Sequence, residues 1–86
     1  MKIPLQNDEE RLSRRERERA RHRREIMEAA IRVFALRGYA QATLDEVSQE
    51  AEFSKGALYL YFSSKEDILF NILFDMSRDI IRFFRE

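Results

Sequence analysis

Between Ser54 and Ser64 the chain carries a lysine, serines and tyrosines but no acid, although acids and bases number 16 each overall. A short helix opening at Ser54 turns Ser54, Lys55, Gly56, Ala57 and Tyr59 outward. That face holds one cation, two hydroxyls and no carboxylate. Such a set suits hydrogen bonds to phosphate oxygens and base edges, the chemistry of a helix laid in a DNA groove. Other chemistries find little support. The acid pairs Asp45–Glu46 and Glu66–Asp67 fall in first helical turns, where they complement the helix dipole. His22 has no second ligand and is expected at the surface. With no cysteine in the chain there is no thiolate metal site and no disulfide. No cofactor and no enzymatic activity are implied.

The elements that must position this face are marked by their start signals. Thr43 is followed three residues later by Glu46, and Ser64 three later by Asp67, the spacing of a capping box. Between them Ser54 can accept from the amide of Gly56 or Ala57 and open a helix just after Phe53. Leu44, Val47, Ser48 and Ala51 share one face of the helix before it; Leu58, Tyr61 and Phe62 repeat at spacings of three and four within and after it. Ahead of these, Ile26, Ala30, Val33 and Phe34 form the stripe of a first helix. Gly38 is placed to cap it, with Tyr39 packing back on Phe34. Two short helices joined by a tight turn behind a first helix make a helix-turn-helix. The fold class expected is all-α, a three-helix bundle with a fourth helix from about Lys65 to Arg85.

The string SKGALYLYFSSKEDIL resembles the signature of TetR-type bacterial transcriptional regulators. EIMEAAIRVFALRGY and TLDEVSQEAEFS resemble the family's first helix and its second helix with turn, so that residues 24–80 are covered. The resemblance implies a DNA-binding regulator, a repressor in type, whose recognition helix (residues 54–61) enters the major groove of a palindromic operator. It implies DNA contacts residue by residue: Thr43 with a phosphate, Ser54, Lys55, Gly56 and Ala57 near base edges, Tyr59 with a phosphate. Tyr61 stands at a position that reaches the backbone, Lys65 at a phosphate-binding lysine, and Leu60 at a variable position. It also implies a homodimer and a small-molecule effector, both served by a larger helical domain absent from these 86 residues. Two positions depart from the family pattern. Glu52 stands where glycine is usual at the turn, which costs about 1 kcal/mol if the left-handed conformation is kept, and Ala57 stands where a polar residue is common.

The charge is polarised along the chain. Residues 1–24 hold nine Lys and Arg against five acids, a net of +4, and residues 25–86 hold seven against eleven, a net of −4. Residues 1–23 therefore read as a basic arm and 24–86 as the helix-turn-helix domain with the start of a linking helix. The arm could extend the first helix backwards from a cap at Asn7 or Asp8, helped by pairs such as Arg14 with Glu18. Having almost no apolar face, it is expected to fray or be disordered without a partner, and it reads either as a solvated arm with no specific role or as a phosphate or minor-groove contact when DNA is bound. The last helix is apolar around most of its circumference, more than a three-helix head can cover. No apolar run reaches the roughly 18 residues of a membrane span, and a signal-peptide core is lacking. A cytoplasmic protein without a membrane partner is expected. The competing readings are a helical protein-interaction module working through the apolar last helix, and a basic-arm membrane binder, which the arm's lack of bulky apolar residues disfavours.

Overall fold

In the computed structural model, which describes residues 13–85, four helices follow one another: α1 (Arg14–Arg37), α2 (Leu44–Ala51), α3 (Lys55–Tyr59) and α4 (Lys65–Arg85). Among the described residues there is no strand. The core forms where the apolar stripes converge. Ile26, Met27, Ala30 and Val33 of α1 meet Val47 of α2, Leu58 of α3, Phe62 just beyond it, and Ile68 and Ile72 of α4. Ile26, Val47, Leu58 and Ile68 are fully buried and Phe62 is 2% exposed, so each large side chain contributes about 1.5–3 kcal/mol of burial. Ser48 is buried in the same layer, its hydroxyl donating to the Asp45 carbonyl at 2.8 Å.

Three caps define where the chain turns. The Thr43 hydroxyl accepts from the Glu46 amide while the Glu46 carboxylate accepts from the Thr43 amide, at 3.2 and 3.0 Å. The same carboxylate meets Arg37 at 2.8 Å, tying the start of α2 to the last turn of α1. Ser54 caps α3 by accepting from the Ala57 amide at 3.0 Å. At α4 the Ser64 hydroxyl accepts from the Asp67 amide, but the Asp67 carboxylate takes its return bond from Ser63 rather than Ser64, at 2.9 Å. Gly38 ends α1 with φ 83° and ψ 143°, a positive φ reached without a Cβ penalty, and the ring of Tyr39 meets that of Phe34 edge-on at 5.1 Å.

The amino-terminal arm departs from expectation. The expected caps Asn7 and Asp8 lie outside the described residues. Residues 14–23 are helical, not frayed, because Ser13 and Glu16 form a complete capping box at the start of α1. Arg14 and Glu18 pair at 3.7 Å as expected. The segment is further anchored by tertiary contacts that its sequence did not advertise. Arg23 donates to Asn71 at 2.9 Å and meets Asp75 at 3.3 Å on α4, and His22 reaches Tyr61. His22 is therefore half-buried, not a surface residue.

Beyond Ile72, α4 leaves the core. Leu73, Phe74, Met76, Ile80 and Ile81 are each more than half exposed, as is Phe70 on the outer side of the packed turns. Phe83 and Phe84 are exposed further still, at 76% and 79%.

At the turn between α2 and α3, Glu52 keeps the left-handed conformation, with φ 61° and ψ 38°. A non-glycine residue there costs about 1–2 kcal/mol, partly offset by the chain entropy that glycine would lose. Glu52→Gly is accordingly expected to stabilise the fold by about 1 kcal/mol in a denaturant melt, and Glu52→Ala, which keeps the Cβ, by clearly less. Equal effects of the two substitutions would mean that the turn stores no strain.

Candidate nucleic-acid interface

α3 is one turn and a fraction long, and its position is set by what it buries. Leu58 is fully buried and Phe62 nearly so, while their neighbour Tyr59 is 49% exposed and Leu60 75%. The inward pair fixes the roll of the helix, and that roll turns Ser54, Lys55 and Gly56 to solvent beside Tyr59. Ala57 is half-buried, with its amide held by the Ser54 cap. A Cβ added at Gly56 would meet nothing within 4 Å. The fold itself thus has no steric need for glycine there, although glycine costs a helix about 1 kcal/mol relative to alanine.

Lys55 joins this face to the start of α2. Its Nζ meets Asp45 at 3.1 Å, and that hydrogen bond, together with the charge of the same carboxylate, raises the lysine's pKa above its usual value. The cation is held charged on an open surface, beside an acid that lies in the first turn after Thr43. A phosphate approaching this corner competes with Asp45 for one ammonium group. Thr43 is exposed, with its hydroxyl on the Glu46 amide and a lone pair remaining for a further partner.

Tyr61 and Lys65 are placed differently. Tyr61 is half-buried, and its hydroxyl lies 3.1 Å from His22 Nδ1. The His22 ring also stands edge-on to Phe53 at 5.3 Å, so that a single imidazole links α1, the α2–α3 turn and the end of α3. Lys65 donates from Nζ to the carbonyls of Tyr39, Ala40 and Ala42 at 2.6, 3.2 and 3.0 Å. Its ammonium also lies 4.5 Å from the Tyr39 ring centroid. Burial, then the nearby Glu66 carboxylate, raises the Tyr39 pKa, which keeps the phenol neutral beneath that cation. In the free chain Lys65 is therefore occupied in holding the α1–α2 loop next to Thr43. Sequence reasoning missed this task, and it missed the half-buried position of His22 and the pairing of Asp45 with Lys55. The one legible hint was that His22 lies four residues before Ile26, on the stripe that enters the core.

The structure brings Thr43, Ser54, Lys55, Gly56 and Tyr59 to the exposed ends and face of the two short helices. Tyr61 and Lys65 are half-buried beside that face, Tyr61 against His22 and Lys65 on the carbonyls of the α1–α2 loop. An exposed short helix with its cap, a paired but accessible cation and an unforced glycine can lie against a polar, anionic surface.

Comparison with known proteins matches the region that carries these helices. Residues 26–72 match the family model described as bacterial regulatory proteins, tetR family. The fatty acid metabolism regulator protein of Bacillus subtilis is 40% identical over 48 residues, covering 56% of this chain and 25% of that protein. The HTH-type transcriptional regulator HbdR of an Aromatoleum species is 38% identical over 64 residues, 70% of this chain and 28% of HbdR. Among solved structures, the fatty acid degradation regulator FadR from Bacillus halodurans superposes with a TM-score of 0.65 at 38% identity, over 71% of this chain and 33% of that one. The chain thus spans a third or less of the length of these relatives.

The arrangement predicts opposite failures for two positions. Lys65→Met keeps the stem and removes the ammonium from three carbonyls, and is expected to lower stability by about 2 kcal/mol in a thermal melt. Tyr59→Phe, at an exposed hydroxyl, is expected to melt within about 0.5 kcal/mol of the parent and to lose about 1 kcal/mol of duplex binding. A Lys65→Met variant as stable as the parent would show that the loop does not depend on this cation.

Proposed function

The chain belongs to the tetR family of bacterial regulatory proteins, DNA-binding transcriptional regulators, and on that premise we propose that it reads a specific operator by seating α3 in the major groove. Thr43 and Tyr59 contact the phosphates that border the groove. Ser54, Lys55, Gly56 and Ala57 approach base edges, with the Ala57 methyl suited to a thymine methyl. Lys65 serves this surface from behind, and Tyr61 borders it where the phosphate backbone passes. The reading includes action as a repressor by binding alone, without catalysis, in the bacterial cytoplasm. No helix of the described residues is long and apolar enough to cross a membrane.

The observation that carries the reading is Gly56. Its Cβ position opens on empty space, and the five-residue helix around it bears a helix-weakening residue that the interior does not require. Close approach of another molecule to the α3 backbone supplies the reason for glycine there.

In the whole protein, the exposed apolar side of α4 is proposed to seat against a further helical domain that pairs two subunits and receives a small-molecule effector. The names of the relatives, regulators of fatty acid metabolism and degradation, favour an apolar effector. Two heads then read a palindrome whose half-sites lie about 34 Å apart. A second reading, a protein-interaction module working through α4, is favoured by the exposed Phe70, Phe74, Phe83 and Phe84.

Gly56→Ala separates the two. It is expected to raise helix stability by up to about 1 kcal/mol while weakening binding to a duplex selected from a random pool by about tenfold or more, a loss of about 1.4 kcal/mol. Melts and titrations of the same samples provide the check. Undiminished binding by the stabilised variant would remove the close-approach argument, and absence of any selected duplex would favour the interaction module.

A further inference from the structure

We propose that the amino-terminal half of α1 is a second, sequence-independent DNA contact, in which Arg15, Arg19 and His22, beside the Tyr61 hydroxyl, take backbone phosphates outside the groove occupied by α3. The inference rests on the reading of α3 given above and adds a site to it.

Arg15, Arg19 and His22 stand at i, i+4 and i+7 of one continuous helix and so share a face. The next member of that stripe is Ile26, which is fully buried. The direction of the basic stripe is therefore set by the core. His22 then fastens it to the end of α3 through the 3.1 Å contact with Tyr61 and the edge-on contact with Phe53. Between the stripe and Tyr61 runs an open groove of about 430 Å³. The acid that borders it, Glu18, pairs with Arg14 at 3.7 Å. Arg15 and Arg19 are exposed and make no ion pair among the described residues. By contrast, Arg32 and Arg37, further along the same helix, are each held by a carboxylate at 2.8 Å.

The location selects the occupant. A helix with its side chains is about 10–12 Å across and fills a major groove about 12 Å wide, so whatever flanks the helix must meet the phosphates at the groove's rim. Tyr61 lies two residues past the end of α3. Starting from His22 beside it, Arg19 and Arg15 lie about 4.5 and 10 Å along the axis of α1, at a rise of about 1.5 Å per residue. A stripe of that length is long enough to meet more than one phosphate of a strand. Guanidinium groups suit phosphate by their forked geometry. A lipid surface is the weaker candidate, because residues 14–24 offer no bulky apolar side chain for insertion.

The test compares the 86-residue chain with its Arg15→Ala/Arg19→Ala and Arg15→Lys/Arg19→Lys variants. Each is titrated across a salt series with the duplex selected from a random pool and with a scrambled duplex of equal length. The alanine pair is expected to bind both duplexes about tenfold more weakly at low salt and to lower the log–log salt slope by about 1–2. The preference for the selected duplex and the thermal melt should be unchanged, and the lysine pair should retain most of the slope. If the alanine pair matches the parent in affinity and slope while the parent prefers the selected duplex, the proposed groove is refuted and the α3 reading stands. If the parent binds neither duplex, both fall. If duplex binding is unchanged but association with phosphatidylserine vesicles is lost, the cations belong to a lipid contact and the proposal is overturned.

Discussion

A helix of five residues cannot hold itself in water, because nucleation costs more than one turn of hydrogen bonds returns. The candidate reading surface of this protein therefore exists only through Leu58 and Phe62, whose side chains are driven into the layer formed by Ile26, Val47 and Ile68. That burial has two consequences. It supplies the free energy that keeps α3 helical, and it fixes the rotation of α3 about its own axis. With Leu58 inside, Tyr59 is outside by geometry alone, and Ser54 to Gly56 follow. A shape-specific surface of small polar groups is thus produced by apolar contacts on the opposite side of the same turn.

The polar contacts around the core set the angle between elements. Glu46 caps α2 and holds Arg37 of α1, and Arg32 holds Glu50 at 2.8 Å across the same pair of helices. Lys65 collects three carbonyls of the α1–α2 loop, which have no helical partners, and in doing so joins the first turn of α4 to the residues before Thr43. Arg23 joins the middle of α1 to Asn71 and Asp75 one and two turns further along α4. Each of these cations spans elements far apart in sequence. Displacement of α4 would therefore be felt at the loop that presents Thr43, and through Phe62 at α3.

Much of this was legible in the residues. The caps at Thr43 and Ser54, the inward Leu58 and Phe62 against the outward Tyr59, and the surplus apolar surface of α4 all follow from local spacing, where hydrogen-bond reach and helical period act over three or four residues. What could not be read depends on contacts between distant positions. His22 meets a tyrosine 39 residues away, and Lys65 meets carbonyls 23 to 26 residues away. No local pattern announces that a lysine holds a distant loop. The helical arm is an intermediate case. Ser13 and Glu16 have the spacing of a capping box, but a run of arginines without an apolar face argues for fraying, and the completed box together with the anchors at His22 and Arg23 overturns that argument.

The central claim is that the exposed face of α3, held from behind by the core, is the surface that meets DNA. Amide chemical shifts followed by NMR while the selected duplex is added test it most directly. The account predicts shifts concentrated at Thr43, at residues 54–59 and at the flanking stripe of α1, with the buried segment from Ile26 to Val33 and the apolar side of α4 nearly silent. Shifts confined to α4 from Phe70 onward, with residues 54–59 unmoved, would contradict it.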